Sequence, residues 1–327
     1  MLFYRFREAA ADGLLCEQLG GSETPPWQRF LQLRGLHQTL LFLGRPVEAL
    51  KIADDLEPLA RKIGDNLSVV RCLTTRAWAE FGIAPDLAKL EIGLGQLSKY
   101  GQSVGSGFWE SVFRAQLSVV DFFRGNWAGA LLLAQASCRH EVGSAADGTG
   151  SGTLFRYMAY TGNRDGALSI LDERRALIPR SGQPNAFGSW WLLVTAIEGL
   201  AMLGEQSQAA ELYPLACELV GTEAVTLWGI PRFTQTIAGL AASSARKWEA
   251  AEEHFEIALQ QAESFPDRLE KADIRRFHAM MLLDRAAPTD RTKAQTLLNE
   301  ALETYTQIGM PRHIEMTQAL IYSRPST

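Results

Sequence analysis

Between Lys247 and Pro266 the apolar and polar positions fall into a helical rhythm. Ala251, Phe255 and Ala258 lie four and three residues apart, so they share one face of a helix. Small, large, small along one face suits a helix that packs very close to a partner. The same phrase returns as Ala209, Tyr213, Ala216 and as Ala294, Leu298, Ala301. Each copy follows a turn, with the turn residue five positions before the first small residue. Gly44 precedes Ala49, Gly125 precedes Ala130, Gly162 precedes Ala167 and Gly204 precedes Ala209; Arg246 and Thr289 take the glycine position before Ala251 and Ala294.

These anchors recur at roughly 40-residue intervals, the signature of a solenoid built from stacked helix pairs. The interval from Gly44 to Gly125 is double, which places a degenerate turn near Gly82 to Pro85. First helices precede each turn with apolar residues at helical spacing, as in Leu193, Ile197, Leu200 and in Phe277, Met281. Pro25, Pro26, Pro179, Pro184, Pro231, Pro266, Pro288 and Pro311 fall between the predicted helices, as an array of helices requires. No stretch alternates with period two between hairpin turns, so essentially no sheet is expected. Val142 to Thr153, rich in glycine and serine, reads as a flexible loop between repeats, and Ser181 to Gly188 as a second loop. The expectation is an all-α, right-handed α-solenoid of about seven helix pairs. Residues 1–26 would form a capping helix or remnant repeat, and residues 27–327 the repeat domain.

The small, aromatic, small phrase after a glycine turn resembles the tetratricopeptide repeat (TPR), whose second-helix pattern is met by Ala251, Phe255 and Ala258 and by Ala209, Tyr213 and Ala216. The units here are longer than that family's usual repeat, and most lack its first-helix Trp. They look like the divergent, long-repeat version found in large bacterial signalling ATPases, including maltose-regulator-type activators and cyclase-linked AAA proteins. The resemblance spans roughly residues 27 to 320. It implies a scaffold for binding and signalling; the relatives' ATPase, cyclase and DNA-binding modules have no counterpart in this sequence.

Composition narrows the partners. Hydrophobic residues make up 46% of the chain and charged residues 21%, enough for a core and too few for disorder. A net charge of −5 argues against a general nucleic-acid binder, which needs a basic face. Cys16, Cys72, Cys138 and Cys217 form no CxxC pair and read as buried free thiols. Arg5, Arg7 and Glu8 interrupt any early apolar run, and the most apolar segment, Trp190 to Ile197, is too short to span a bilayer. A cytoplasmic protein is expected.

Candidate chemistry is sparse. Gly148 to Thr153 has the glycines of a phosphate loop but no Lys after them, and reads as a plain loop. His37, His140, His254, His278 and His313 fall in different repeats without metal-ligand spacing. His254 reads as part of a solvated acidic helix face, and His140 with Glu141 as a charge feature at a helix end. There is no GxSxG elbow. Arg268, Lys271, Arg275 and Arg276 are interleaved with Asp267, Glu270 and Asp273 at i,i+3 and i,i+4 spacings, which points to an exposed helix. No enzyme, cofactor, metal or direct nucleic-acid binding is expected.

What remains is a groove. In a helix-pair solenoid the first helices line the concave side. Counting back from the turns places Trp191, Glu198, Phe233 and Arg276 there, with Phe122, Phe123 and Arg34 from earlier repeats. Trp191 and Phe233 equally fit an inter-repeat core, as do Trp190, Trp228 and Trp248. The leading expectation is a non-catalytic scaffold that binds a protein or peptide in this groove. A small-metabolite effector sensor is the alternative, favoured if aromatics cluster with convergent Arg and Glu. An enzyme whose site escapes recognition is the third.

Overall fold

The structure is a computed structural model, described for residues 6–20, 24–103, 107–138, 147–183, 185–227, 232–265 and 267–322. Those residues form seventeen α-helices and no named strand; a single isolated bridge joins Thr226 and Phe233. After α1 (Phe6–Gly20), the helices come in seven pairs: α2 (Pro26–Phe42) with α3 (Pro46–Ile63), α4 (Asn66–Ile83) with α5 (Leu87–Ser103), α6 (Gly107–Phe123) with α7 (Trp127–Ser137), α8 (Thr149–Tyr160) with α9 (Arg164–Glu173), α10 (Phe187–Leu203) with the split second helix α11 (Gln206–Glu211) and α12 (Tyr213–Gly221), α13 (Thr234–Ser244) with α14 (Trp248–Ser264), and α15 (Arg268–Arg285) with α16 (Asp290–Ile308). α17 (Pro311–Tyr322) follows. This is an all-α solenoid of TPR-like helix pairs, as the 40-residue rhythm predicts.

The anchors behave as their chemistry requires. Gly44, Gly125, Gly162 and Gly204 all have φ between 65° and 80°, where a side chain is strained. Arg246 adopts the same conformation without being glycine. In the last pair the left-handed residue is Ala286 and not Thr289, because the turn there is lengthened through Ala287 and Pro288. The small residues Ala49, Ala130, Ala167, Ala209, Ala251 and Ala294 are completely buried, as are Ala258 and Ala301, with Phe255 and Leu298 between them. Ala209, Tyr213 and Ala216 do not lie on one continuous helix: the chain breaks at Leu212, and Tyr213 is left half-buried.

The glycine- and serine-rich stretch departs from expectation. Residues 142–146 lie outside the described residues, but from Thr149 the chain is helical and every residue through Tyr157 is buried. Glycine, serine and threonine are poor helix formers, so packing overrides propensity here. The small side chains let α8 and α10 approach closely: a Cβ on Gly152 would stand 2.5 Å from Thr195 Oγ1 and 3.2 Å from Leu192 Cα. The cysteines also differ from expectation: among them only Cys72 is buried, Cys138 and Cys217 are intermediate, and Cys16 is exposed.

The superhelix winds tightly enough to touch itself. α4 packs on α15 and α6 on α17. The Val225 N–H donates to Phe42 O at 2.6 Å, and Phe122 stands edge-on to His313 at 5.4 Å. α8, α10 and α13 are buried nearly all round, by second helices and by the neighbouring first helices: α10 packs between α8 and α13, and α13 packs on α15.

Candidate functional site

The inward faces of α8, α10 and α15, together with Arg232 at the approach to α13, bring together a buried ionic cluster. Arg232 is its hub. Its Nε and Nη2 donate to the two oxygens of Glu198, each at 3.0 Å, while Nη1 donates to Glu270 Oε2 at 2.6 Å and to Asp273 Oδ2 at 2.8 Å. The fork on Glu198 is the planar, two-bond match that guanidinium makes with carboxylate. Glu270 Oε1 accepts from the Phe233 N–H at 2.8 Å and from Thr236 Oγ1 at 2.7 Å. Tyr160 donates to Glu198 Oε1 at 2.7 Å, and Tyr305 donates to Asp273 Oδ1.

Arg276 is fully enclosed. It donates to Tyr305 OH at 3.3 Å and Tyr160 OH at 3.1 Å, and its guanidinium lies 4.4 Å from the Phe277 ring centroid. Arg156, on α8, is 5% exposed and hydrogen-bonds the Tyr157 side chain. Its one ion pair is with Glu198 Oε2 at 3.7 Å, and its Nε has no hydrogen-bond partner. It sits 5.7 Å from the Phe122 ring centroid and 5.3 Å from that of Tyr157.

Burial and charge pull these groups in opposite directions. Burial alone would raise Glu198 and Asp273, but the neighbouring arginines (Arg232 and Arg156 for Glu198, Arg232 and Arg276 for Asp273) outweigh it and hold both carboxyls below their usual range. For Glu270 burial prevails over Arg232 and pushes the carboxyl up to about 7; for Asp267, which caps α15, it gives about 6. His313 is depressed to about 3 by burial, and its Nδ1 has no partner.

Six of the seven residues expected to line an open groove are buried. Trp191 donates to Thr153 Oγ1 at 3.1 Å, Phe233 packs edge-on to Phe265, and Phe123 stacks on Phe81. Glu198, Arg276 and Phe122 meet in or beside the ionic cluster, whereas Arg34 lies apart on α2, half-buried. The first helices do bring these residues together on their facing sides, where they are packed rather than exposed. The interleaved charges of α15 are divided rather than all exposed: Arg268 is exposed, while Asp267, Glu270, Asp273 and Arg276 are buried. His254 is not a solvated residue either, since its ring bridges Gln235 at 2.6 Å and Tyr213 at 3.2 Å. Trp190 is buried and Trp248 half-buried; Trp228 and His140 lie outside the described residues.

Sequence reasoning missed Arg232, Glu270, Asp273, Arg156, Tyr160 and Tyr305 as members of one site. A signal existed on α15. Arg276 is seven residues from Leu269 and Glu270 seven from Phe277, so both charges are in phase with apolar positions. Arg232 carried no such signal, because it precedes α13 and belongs to no helical phase.

No family model matches the chain, and no curated protein sequence matches it. A solved structure described as a Rap protein complexed with competence and sporulation factor is similar over 97% of this chain and 92% of that one, with a TM-score of 0.50 and 13% identity. The fold is TPR-like. At that identity the likeness speaks for architecture alone. Among the described residues, no helix is long and apolar enough to cross a membrane, and no group of His, Cys, Asp and Glu could hold a metal ion.

Proposed function

We propose that the chain is a non-catalytic binding scaffold of the divergent, long-repeat TPR type, and that its ligand is a peptide or protein segment received on the inward faces of the first helices. The observation that carries this reading is the buried ionic cluster. Replacing a buried ion network by apolar side chains is often neutral or stabilising, so a fold with no other need for it would do as well without it. Its members come from α8, α10 and α15 and from Arg232 between α12 and α13, so a ligand engaging them would couple four successive repeats. The similar Rap structure was solved with a factor bound, which agrees with a binding role for this architecture. Relay of occupancy to a bacterial signalling or transcriptional partner in the cytoplasm completes the proposal, with residues 1–26 as the cap and residues 27–327 as the binding domain.

A second reading has its own support. Phe122, Tyr157, Tyr160, Tyr305 and His313 gather around Arg156, Arg276 and Glu198, the enclosed aromatic and charged surroundings that suit a small effector.

The test is selection of random peptides displayed against the purified protein, followed by hydrogen–deuterium exchange with the enriched sequences. Added protection on α8, α10, α13 and α15 is expected. Enrichment no better than on an unrelated helical bundle, or protection confined to the second helices, would overturn the scaffold reading.

A further inference from the structure

A cleft of about 580 Å³ opens where the first helix pair meets the sixth. One wall is the turn between α2 and α3, residues 43–48, and the other is the last two turns of α14 with Phe265 beyond them; Val225 completes the lining. The walls are held together because the superhelix touches itself beside them. The Val225 and Thr226 N–H groups donate to Phe42 O at 2.6 and 3.3 Å, and a Cβ on Gly44 would stand 3.0 Å from Val225 Cγ1. The cleft therefore belongs to no single repeat, and clefts between packed units are where small ligands are preferentially held.

Its charges are already matched within the protein. Arg45 gives Nε and Nη2 to the two oxygens of Glu48, each at 2.6 Å, and Arg7 stands 3.5 Å from Glu223. A charged ligand would have to break one of those pairs or lose its hydration without a counter-charge. What the lining leaves open is neutral. Gln261 keeps its amide oxygen buried without a hydrogen-bond partner, a cost that a donor from outside would remove. A carboxamide both accepts and donates, so the group that matches it best is another amide. Val225, Ile257 and Phe265 supply apolar surface beside it, with Phe265 fixed edge-on against Phe233 at 5.4 Å. Val47, on the opposite wall, remains 46% exposed.

We propose that this cleft binds an uncharged ligand carrying an amide beside a branched apolar group, the chemistry of a neutral peptide stretch or of a free acyl amide. The site goes beyond peptide binding on the first helices and does not depend on it. Because the ligand touches both walls, it favours the closed winding over any in which residues 43–48 part from α14. It is a clasp on the superhelix.

The experiment titrates the full chain with four probes: N-acetyl-leucinamide; N-acetylglycinamide, which lacks the apolar group; isohexyl alcohol, which lacks the amide; and N-acetyl-leucine, which carries a carboxylate in place of the terminal amide. Saturation-transfer NMR ranks them, and hydrogen–deuterium exchange locates the bound one. N-acetyl-leucinamide should bind tighter than each of the others by about fivefold or more, the worth of one hydrogen bond or one buried side chain. It should raise protection around residues 43–48 and 225–226. Both effects should vanish in Gln261→Leu, which keeps the bulk and removes the amide, and in Val47→Glu, which places a charge at an exposed position of the wall. Equal binding of the alcohol would overturn the amide assignment. No binding of N-acetyl-leucinamide, or protection confined to other helices, would overturn the site. N-acetyl-Ala-Leu-Ala-amide then distinguishes the sources: clearly tighter binding than N-acetyl-leucinamide supports a peptide, and equal or weaker binding supports a free amide. The ranking of probes on wild type decides the matter even if a variant fails to fold, and failure of peptide selection on the first helices would leave it unchanged.

Discussion

The first two helix pairs of this solenoid and the four from α8 onward solve the same packing problem differently. Between α2 and α5 the interior is apolar, with Phe30, Leu33, Leu56, Val69 and Cys72 in one cluster, and its one buried side-chain pair between α2 and α4 is neutral: Thr75 with His37 at 3.2 Å. Between α8 and α15 the interior holds three arginines and at least as many carboxyls. Both regions use the same buried alanines at the same repeat positions, so repeat packing does not require charge. The ionic cluster is therefore an addition to the repeat, and in a scaffold an addition on the inward face points to a ligand.

The largest difference between the two regions lies at Arg232. Arg232→Met strands Glu198, Glu270 and Asp273 without their shared counter-charge, and urea unfolding is expected to show a loss of about 3–5 kcal/mol. In the N-terminal region the corresponding cut is small. Thr75→Val removes one neutral hydrogen bond from His37, and the same measurement should lose about 1 kcal/mol. If the two losses were equal, the regions would not differ in the way described.

The response to acid should also separate them. His37 is held down to about 4 by burial and by Arg71, below its unfolded value of 6.5. Its contribution is therefore complete above pH 6.5 and is lost as the pH falls towards 4. In the centre His278 and His313, depressed to about 4 and about 3, act with that sign, but Glu270 and Asp267 act with the other. A carboxyl raised above its unfolded value gives its full contribution below that value and loses it as the pH rises through 7 and 6. Exchange-protection of α4 should thus weaken between pH 7 and pH 5, while that of α15 stays nearly flat; Glu270→Gln should give α15 the histidine slope. A flat response at α4 would contradict the assignment of His37.

The smallest effect concerns the repeat itself. Ala286 occupies the left-handed turn position that glycine fills in four other repeats, with φ of 54°. Ala286→Gly should relieve that strain and raise stability by about 0.5–1 kcal/mol in thermal unfolding, equally in wild type and in Arg232→Met. A loss would mean that the methyl group packs more than the turn strains.

The turn glycines and the alanines five residues later carry the repeat, because backbone chirality and close helix contact restrict those positions to few residue types. α8 was unreadable as a helix, since Thr149 to Thr153 has loop composition and only its fit against Leu192 and Thr195 makes it helical. The inward direction of Trp191, Glu198 and Arg276 was legible from periodicity, but the closure of the axis over them was not. Closure depends on the superhelical winding that brings α4 to α15 and α6 to α17, a sum of small rotations with no local signature.

Arg232 serves three carboxylates at once, whereas Arg156 stands 3.7 Å from one that Arg232 already holds. Urea unfolding of Arg156→Met beside Arg232→Met tests this difference directly. Arg156→Met should be at least as stable as wild type, because methionine fills the site between Phe122 and Tyr157 without an unpaired charge, while Arg232→Met falls by about 3–5 kcal/mol. Equal losses in the two variants would make Arg156 a structural ion like its neighbour and remove the reason to seek a ligand there.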